Sequence, residues 1–243
     1  MTRNTSAPEA DGGAPAPQKP ATTPAAPVWV PIRSLPASQR DQVAAHLTGL
    51  SPGDRYLRFG YPASDAQIAR YVTGLDFERD EVFGVFNRRL ELIALAHLAY
   101  PQNHTPGHPA AEPAHPAAEF GGSVVEHARG RGYGTRLFEH AMLHARNRGL
   151  SCLFIHALSE NTAMLRIARK AGATVERAGS ESDAYLRLPH ETVASQVEQW
   201  VGDGAAEIDY RIKRQAQKTD AHAQAVVQTT AETARPTDPA DPG

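Results

Sequence analysis

The chain has 243 residues, of which 41% are hydrophobic and 21% charged, and this is enough for one domain with a real core plus extensions. Its 25 basic and 27 acidic side chains give a formal charge of −2, which argues against a nucleic-acid partner because such proteins concentrate Lys and Arg. The single cysteine, Cys152, excludes an intramolecular disulfide and a cysteine-ligated zinc site, and it indicates a reducing compartment.

The sequence shows no pattern typical of membrane insertion or export. Its apolar stretches are all shorter than the ~20 residues that cross a bilayer. Residues 1–30 have neither the basic n-region nor the apolar h-region of a signal peptide. We therefore expect a cytoplasmic protein with no membrane partner.

Proline clusters and apolar content set the expected domain boundaries. Residues 1–27 contain almost no large apolar side chain, so they cannot bury enough surface to offset the entropy of ordering, and a disordered arm is expected. The pattern predicts one domain over residues 28–190, a helical extension over 191–227 and a disordered tail over 228–243.

Histidines at two places raise the question of a metal site. Residues 101–117 form an expected disordered loop rich in proline, and it contains His104, His108 and His115. A metal site needs rigidly held ligands, so solvated histidines are expected there. His140 and His144 have the spacing of a two-histidine site, but Ala141 stands where H-E-x-x-H needs glutamate, which favours helix-face histidines and no metal.

The first half of the domain alternates strand and helix patterns. Strand character marks residues 28–33, 81–87 and 90–100. Helices are predicted over 38–48 and 64–73, because each begins with a serine suited to cap a helix and carries apolar residues at helical spacing. Two helices are therefore expected between the first and second strands.

The second half of the domain repeats strand and helix units. Strands are predicted over 119–126, 152–158, 174–177 and 184–188, and helices over 132–148 and 161–171. Because a strand–helix–strand crossover joins parallel strands, the first two strands of this half are expected to be parallel.

The C-terminal extension has a helical pattern with one apolar stripe. The stripe consists of Val193, Val197, Trp200 and Val201. Gly202 and Gly204 are candidate breaks in this helix. Its basic and acidic residues are mixed, which favours a solvated helix over a basic docking patch.

The most informative run is the glycine-rich turn Arg129-Gly130-Arg131-Gly132-Tyr133-Gly134-Thr135, which follows a predicted strand and precedes a predicted helix. Glycines let the backbone turn tightly, and the first amides of a helix have no partner within it, so together they suit a pyrophosphate. The spacing fails the G-x-G-x-x-G pattern, and no Gly-Lys-Ser/Thr follows, which disfavours NAD and ATP. A tight turn without a ligand is the alternative.

At this turn the chain resembles the GNAT superfamily of N-acetyltransferases, because Arg129-x-x-Gly132-x-Gly134 matches its Gln/Arg-x-x-Gly-x-Gly/Ala signature. A second anchor is Ser159-Glu160-Asn161-Thr162-Ala163-Met164 followed by Ala168-Arg169-Lys170-Ala171-Gly172. With Glu119-Phe120, these runs are most similar to the acetyltransferase domain of bacterial protein-lysine acetyltransferases.

The resemblance implies a GNAT-like α/β fold, a mixed sheet flanked by helices whose two central parallel strands splay apart around acetyl-CoA. It implies that Val124 and Val125 offer backbone groups to the pantetheine arm and the thioester carbonyl. The turn at 129–135 would hold the pyrophosphate with help from Arg131, and Asn161 would hydrogen-bond near the thioester. Unpaired N–H and C=O groups along a splayed edge suit the amides of pantetheine.

Acetylation of an amine needs a base, because an ammonium group has no free lone pair. The resemblance implies Glu119, since a glutamate at this Glu-Phe position faces the acceptor in similar enzymes. A surface carboxylate at the strand end is the alternative role. Glu126, His127 and Glu160 are rival bases, because they also lie at strand ends.

Two further positions bear on the mechanism. Many superfamily members carry a tyrosine general acid where this chain has Ala168, which leaves water or Ser159 to protonate the departing thiolate. Cys152 opens an apolar strand, so a buried and inert thiol is expected rather than a nucleophile.

The sequence therefore predicts an acetyl-CoA-dependent N-acetyltransferase that acts on a protein lysine or a small amine by direct attack in a ternary complex. The alternative is a catalytically weak acetyl-CoA-binding module that senses the cofactor or positions a partner, which the missing tyrosine and the long arms would suit. A purely structural protein would require both motifs to be coincidental.

Overall fold

The computed structural model describes residues 29–101, 117–190 and 192–233, with backbone alone at 193 and 219–233. The expected N-terminal arm, residues 102–116 of the loop with its three histidines, and the tail beyond Thr233 lie outside these ranges. Within these ranges, no helix combines the length and hydropathy that a bilayer crossing requires.

Seven strands of the described residues form one mixed sheet. They are β1 (Ile32–Ser34), β2 (Glu81–Phe86), β3 (Leu92–Ala99), β4 (Ala117–Val124), β5 (Cys152–Leu158), β6 (Thr174–Ala178) and β7 (Glu181–Arg187). Their order in the sheet is β1-β2-β3-β4-β5-β7-β6. All neighbours are antiparallel except β4 and β5, which are parallel, as the strand–helix–strand pattern predicts.

The described residues also form six α-helices. They are α1 (Arg40–Thr48), α2 (Pro52–Phe59), α3 (Asp65–Thr73), α4 (Tyr133–Asn147), α5 (Thr162–Lys170) and α6 (Val193–Thr233). The sequence analysis does not predict α2, because Pro52 and Gly53 are typical of turns. The side chain of Ser51 nevertheless accepts the amide hydrogen bond of Asp54, and proline is tolerated at the first helical position.

Helices cover both faces of the sheet. Alternation along β2 sends Val82 to a cluster with Val43 of α1 and Ile68 of α3. The same alternation sends Phe83 to a second cluster on the other face, which includes Phe138 of α4. Because both faces are covered, β2 is buried almost throughout, which explains its nearly continuous apolar sequence.

The two parallel strands pair only where they begin. Ala117 of β4 pairs with Cys152 of β5, and the last pair joins Glu119 to Phe154. Beyond that pair β4 follows β3, and β5 follows β7. The strands therefore splay, as the resemblance implies, and the backbone groups facing the gap are available to a ligand.

The C-terminal helix α6 is unbroken and continues past its expected end at residue 227. Gly202 and Gly204 do not interrupt it, contrary to the expectation, although each costs about 1 kcal/mol relative to alanine. Contacts with the sheet offset this cost, because Glu207 of α6 forms an ion pair with Arg33 of β1 at 2.7 Å.

The apolar stripe of α6 is not its buried face. Val197, Trp200 and Val201 are 56%, 85% and 66% exposed. The helix instead buries Ala206, which is 1% exposed, and places the ring of Tyr210 against Phe86 of β2. Spacing alone identifies a stripe but not the surface that it contacts.

Trimming the ends should leave the domain intact. Residues 228–243 contain no large apolar side chain, and residues 1–27 contain only Met1, so neither can add much to the core. We expect a chain lacking both segments to keep its melting temperature, as measured by thermal denaturation. A clear drop in melting temperature would show that one end packs on the domain.

Candidate functional site

The glycine-rich turn connects β4 to α4. Gly130 and Gly132 have φ angles of 75° and 80°, in the left-handed region that favours glycine. Gly132 is the N-cap of α4, and its helix has no side-chain cap. The first amides of α4 therefore have no partner within the helix or from a cap, and with the helix dipole they favour an anion.

The other turn residues surround these amides. Arg131 is exposed, whereas Tyr133 and Thr135 are half-buried. A Cβ atom on Gly134 would lie 3.2 Å from Cδ1 of Ile167 in α5. Gly134 thus allows α4 and α5 to approach closely beside the turn.

Arg129 links the turn to α2. Its guanidinium forms an ion pair with Asp54, and its Nε donates to the carbonyl of Val124 at 3.2 Å. The signature arginine therefore fixes α2 above the end of β4, in addition to its place in the turn.

At the end of β4, some backbone groups bond to β3 and others face the splay. The amide of Val125 donates to the carbonyl of Ile93 at 3.0 Å, and the Val125 carbonyl accepts from the amide of Ala128 at 3.0 Å. Because successive backbone groups of a strand point to opposite sides, those of Val124 face the splay. The amide of Val124 is thus positioned towards a ligand in the gap, whereas the Val124 carbonyl accepts from Arg129 and the Val125 groups are bonded within the protein.

A cavity of about 150 Å³ lies at the splay under α2. Residues 57–60, 119–122 and 155–158 form its walls, together with Asn161 and Met164. The cavity therefore brings together the unpaired edges of both parallel strands and the start of α5.

Glu119 lies on the wall of this cavity, at the last pair between β4 and β5. Its side chain is exposed and has no hydrogen bond or ion pair to the residues that the structure describes. The rival bases Glu126, His127 and Glu160 are also exposed, but none of them lines the cavity. Of the four candidates, Glu119 alone faces the splay.

Asn161 lies at the opposite wall, where β5 leads into α5. Its Oδ1 accepts the amide of Met164 at 3.1 Å and so caps α5, and its Nδ2 donates to the carbonyl of Leu57 at 3.3 Å. Asn161 therefore joins the start of α5 to α2 across the cavity.

A chain of hydrogen bonds, absent from the sequence analysis, orders Arg58 in the cavity wall. Arg58 Nη2 donates to the hydroxyl of Tyr71 at 2.8 Å, and that hydroxyl contacts Nδ1 of His97 at 2.9 Å. Nε2 of His97 contacts Asp80 at 3.1 Å. Burial would raise the pKa of Asp80, but bonds from Arg79 and His97 outweigh it and hold this pKa well below its usual value.

His156 is a cavity residue that no sequence pattern indicates. Its Nδ1 contacts Oδ1 of Asp183 on β7 at 2.8 Å. The two residues are directly paired between β5 and β7, so the sheet register brings them together. The imidazole is exposed at the cavity, close to the strand that carries Glu119.

Cys152 is 9% exposed and does not line the cavity. Burial raises the pKa of its thiol, which keeps the sulfur protonated and weakly nucleophilic. The buried thiol agrees with the expectation from its place in an apolar strand.

Comparison with known proteins identifies the family. The model of the acetyltransferase (GNAT) domain matches residues 35–174, more than half of the chain. The chain belongs to the GNAT acetyltransferase family. A search of curated proteins gave no significant match.

Two solved structures agree with this GNAT assignment. The GNAT domain of S. lividans PAT is 25% identical with a TM-score of 0.52, over 65% of this chain and 89% of that chain. A structure from Acinetobacter baylyi ADP1 is 13% identical with a TM-score of 0.51, over 66% of this chain and 93% of that chain, and shows the fold alone.

This GNAT acetyltransferase has Ala168 at the position where the resemblance implies a tyrosine general acid. Ala168 has no hydroxyl and is fully buried in the core. Ser159 is no direct replacement, because its hydroxyl bonds the carbonyl of Glu181 at 2.9 Å and the hydroxyl of Ser182 at 2.8 Å.

Proposed function

We propose that this chain transfers the acetyl group of acetyl-CoA to a primary amine, on a protein lysine or a small molecule, by direct attack in a ternary complex. The observation that carries the proposal is the position of Glu119 at the point where β4 and β5 separate. There a carboxylate that has no partner among the described residues meets the gap that begins at the last strand pair and opens towards the glycine turn.

The cofactor would lie along the splay with its pyrophosphate at the start of α4. Residues 129–135 would surround the pyrophosphate, where the uncapped amides and the exposed Arg131 favour negative charge. Val124 and Val125 would lie beside the pantetheine arm, with Val124 offering its backbone amide. Asn161 would lie at the thioester end, because it lines the cavity that holds Glu119.

Glu119 would act as the general base. It would take a proton from the acceptor ammonium, and the freed nitrogen lone pair would attack the thioester carbonyl carbon. The C–S bond then breaks and the acetyl group stays on the nitrogen. The nitrogen releases its second proton to water, and the thiolate of CoA takes a proton from water, so that the amide and the thiol are both neutral. Water is assigned this role because Ala168 has no hydroxyl and the hydroxyl of Ser159 is bonded to β7.

Direct attack is favoured over a covalent acetyl-enzyme. The buried thiol of Cys152 has a raised pKa and does not reach the cavity. A side-chain nucleophile with an adjacent base is therefore not available at this cysteine.

Arg58 would bind the acceptor through a carbonyl or carboxylate group. Its guanidinium lies over Gly121, its Nε is buried without a hydrogen-bond partner, and none of the described carboxylates forms an ion pair with it. Tyr71 fixes its orientation through a 2.8 Å hydrogen bond. A fixed cation beside Glu119 would direct the amine towards the base.

We expect Arg58→Lys to raise the KM for the acceptor by roughly 10-fold or more, because a hydrogen bond to a charged group is worth about 1.5–3 kcal/mol. The KM for acetyl-CoA should stay within about twofold. Steady-state kinetics with each substrate varied in turn measures both constants. Arg70→Lys, at an exposed position on α3, is the matched control, and equal effects in both variants would contradict the assignment.

The test of the proposed function is release of CoA thiol from acetyl-CoA in the presence of lysine peptides and a panel of small amines. Acetylation of an acceptor, confirmed by mass, is the expected result. The missing hydroxyl at Ala168 favours a second candidate, a catalytically weak module that binds acetyl-CoA as a sensor or positions a partner. Tight acetyl-CoA binding without transfer to any acceptor would support this candidate.

A further inference from the structure

Three polar side chains converge between α4 and α6, with their facing nitrogen and oxygen atoms buried. His140 and His144 lie one turn apart on α4, and Asp203 faces them from α6. Nε2 of each histidine lies 3.6 Å from the same oxygen, Oδ1 of Asp203. None of these three atoms has a hydrogen-bond partner among the described residues, and all three are inaccessible to solvent.

Such an arrangement destabilises the folded protein unless a bound ion or molecule occupies its centre. Each buried polar atom without a partner loses its hydration and gains no hydrogen bond in return. Protons on the two Nε2 atoms could both point at Oδ1 of Asp203, but at 3.6 Å neither contact has the length of a hydrogen bond. One cation bound by all three atoms satisfies the whole cluster.

The distances fit a tetrahedral metal ion. With bonds of about 2.0–2.1 Å to nitrogen or oxygen, neighbouring ligand atoms of a tetrahedral site lie ~3.4 Å apart. The two nitrogen–oxygen distances of 3.6 Å are close to this value, and all three ligand atoms lie within 4.8 Å of one another. Small side-chain rotations would bring them to bonding distance.

The carboxylate of Glu81 contacts the other ring nitrogen of His144. Oε2 of Glu81 lies 3.2 Å from Nδ1 of His144, the ring nitrogen that points away from the cluster. Tyr100 donates a hydrogen bond to the same carboxylate oxygen at 2.7 Å and holds it in place. A carboxylate on the outer nitrogen is the usual support of a metal-binding histidine, because it fixes the ring and raises its basicity.

We propose that His140, His144 and Asp203 form a binding site for a divalent transition-metal ion, for which zinc is the best fit. Two imidazoles and one carboxylate match zinc, whereas magnesium and calcium prefer oxygen ligands throughout. Three protein ligands leave one position for water, and His140 borders a surface cavity of about 620 Å³ from which water can enter. The ion would fasten α6 to the helix that begins at the glycine turn.

A motif search cannot find these three ligands, because Asp203 is distant in sequence from the two histidines. Ala141 excludes the H-E-x-x-H pattern, and the third ligand, Asp203, comes from the C-terminal extension. The cluster does not border the cavity that holds Glu119. The measurement of its occupancy therefore does not require the proposed acetyl transfer.

The test is titration of the chelator-treated full-length protein with zinc chloride, followed by calorimetry and thermal denaturation. We expect one ion per chain and a melting temperature raised by about 5–10 °C at free zinc ~100-fold above Kd. Magnesium chloride should give no shift. Cobalt chloride provides a spectroscopic measurement on the unchanged protein, since its visible absorption reports a tetrahedral nitrogen and oxygen environment.

Three variants decide where the ion binds. Asp203→Asn and His140→Gln should weaken zinc binding by roughly 100-fold, since even changes outside the direct ligands cost about 10–100-fold. Glu139→Gln, at an exposed carboxylate beside His140, should bind zinc as the parent does. Zinc that stays tightly bound in Asp203→Asn would come from other histidines, such as His104, His108 and His115, and would overturn the proposal. Absence of binding to the parent protein would overturn it as well.

Discussion

The Glu119→Gln variant is expected to keep its affinity for acetyl-CoA and to lose roughly 10²–10⁴-fold in kcat, the usual range for a lost general base. Glutamine has nearly the same shape but cannot accept the ammonium proton. Because Glu119 has no partner among the described residues, the substitution breaks no internal contact, and the fold should be unaffected. Calorimetric titration and steady-state kinetics measure the two quantities separately.

The pH profile distinguishes base catalysis from a role in binding. Part of the lost rate should return at high pH, where more of the acceptor amine is already deprotonated. A residue that only binds the acceptor would raise KM and leave kcat little changed. Glu160→Gln is the matched control, because Glu160 is an exposed glutamate just after β5 that does not line the cavity.

An unchanged kcat in Glu119→Gln would exclude this glutamate as the base. His156 would then be the next candidate, because it lines the same cavity and its ring contacts Asp183 at 2.8 Å. A His156→Gln variant with a large loss in kcat, beside an active Glu119→Gln variant, would identify it.

The parts of the fold that follow from local pattern are predictable from the sequence. The parallel pair and the turn between them depend on neighbouring residues, and the structure has β5 at its predicted bounds. The turn glycines at 130 and 132 have the left-handed backbone that their positions in the run indicate. Local hydrophobic period and turn chemistry therefore determine this half of the domain.

Contacts between distant segments are not predictable in this way. Arg58, Tyr71 and His97 come from α2, α3 and β3, so their hydrogen bonds exist only after the helices pack on the sheet. The cluster of His140 and Asp203 likewise depends on how α6 lies against α4. Spacing within one segment carries no information about such pairs.

The unbroken helix α6 also shows the limit of prediction from local sequence, because the local pattern predicts a break that does not occur. Local propensity favours a break at Gly202 and Gly204. The ion pair between Glu207 and Arg33, together with burial of Ala206, offsets that preference. Tertiary contacts therefore determine whether a helix continues where the helix propensities of single residues differ by only about 1 kcal/mol.

Substituting the turn glycines by valine should abolish acetyl-CoA binding, whereas Cys152→Ala should not affect it. Gly132 has φ 80°, which a β-branched residue rarely adopts, so Gly132→Val would turn the first amides of α4 away from a pyrophosphate. At Gly134, a Cβ atom would already lie 3.2 Å from Cδ1 of Ile167, so the larger valine side chain would crowd Ile167 beside the turn.

A matched control separates loss of the binding site from loss of folding. Gly149 has φ 79° at the other end of α4, with no neighbour near its Cβ position, so Gly149→Val places the same backbone strain far from the turn. We expect Gly149→Val and Gly132→Val to have similar melting temperatures, while calorimetry detects acetyl-CoA binding only in the former. Undiminished binding in Gly132→Val and Gly134→Val would place the pyrophosphate elsewhere, because the uncapped amides of α4 are the physical basis for its position.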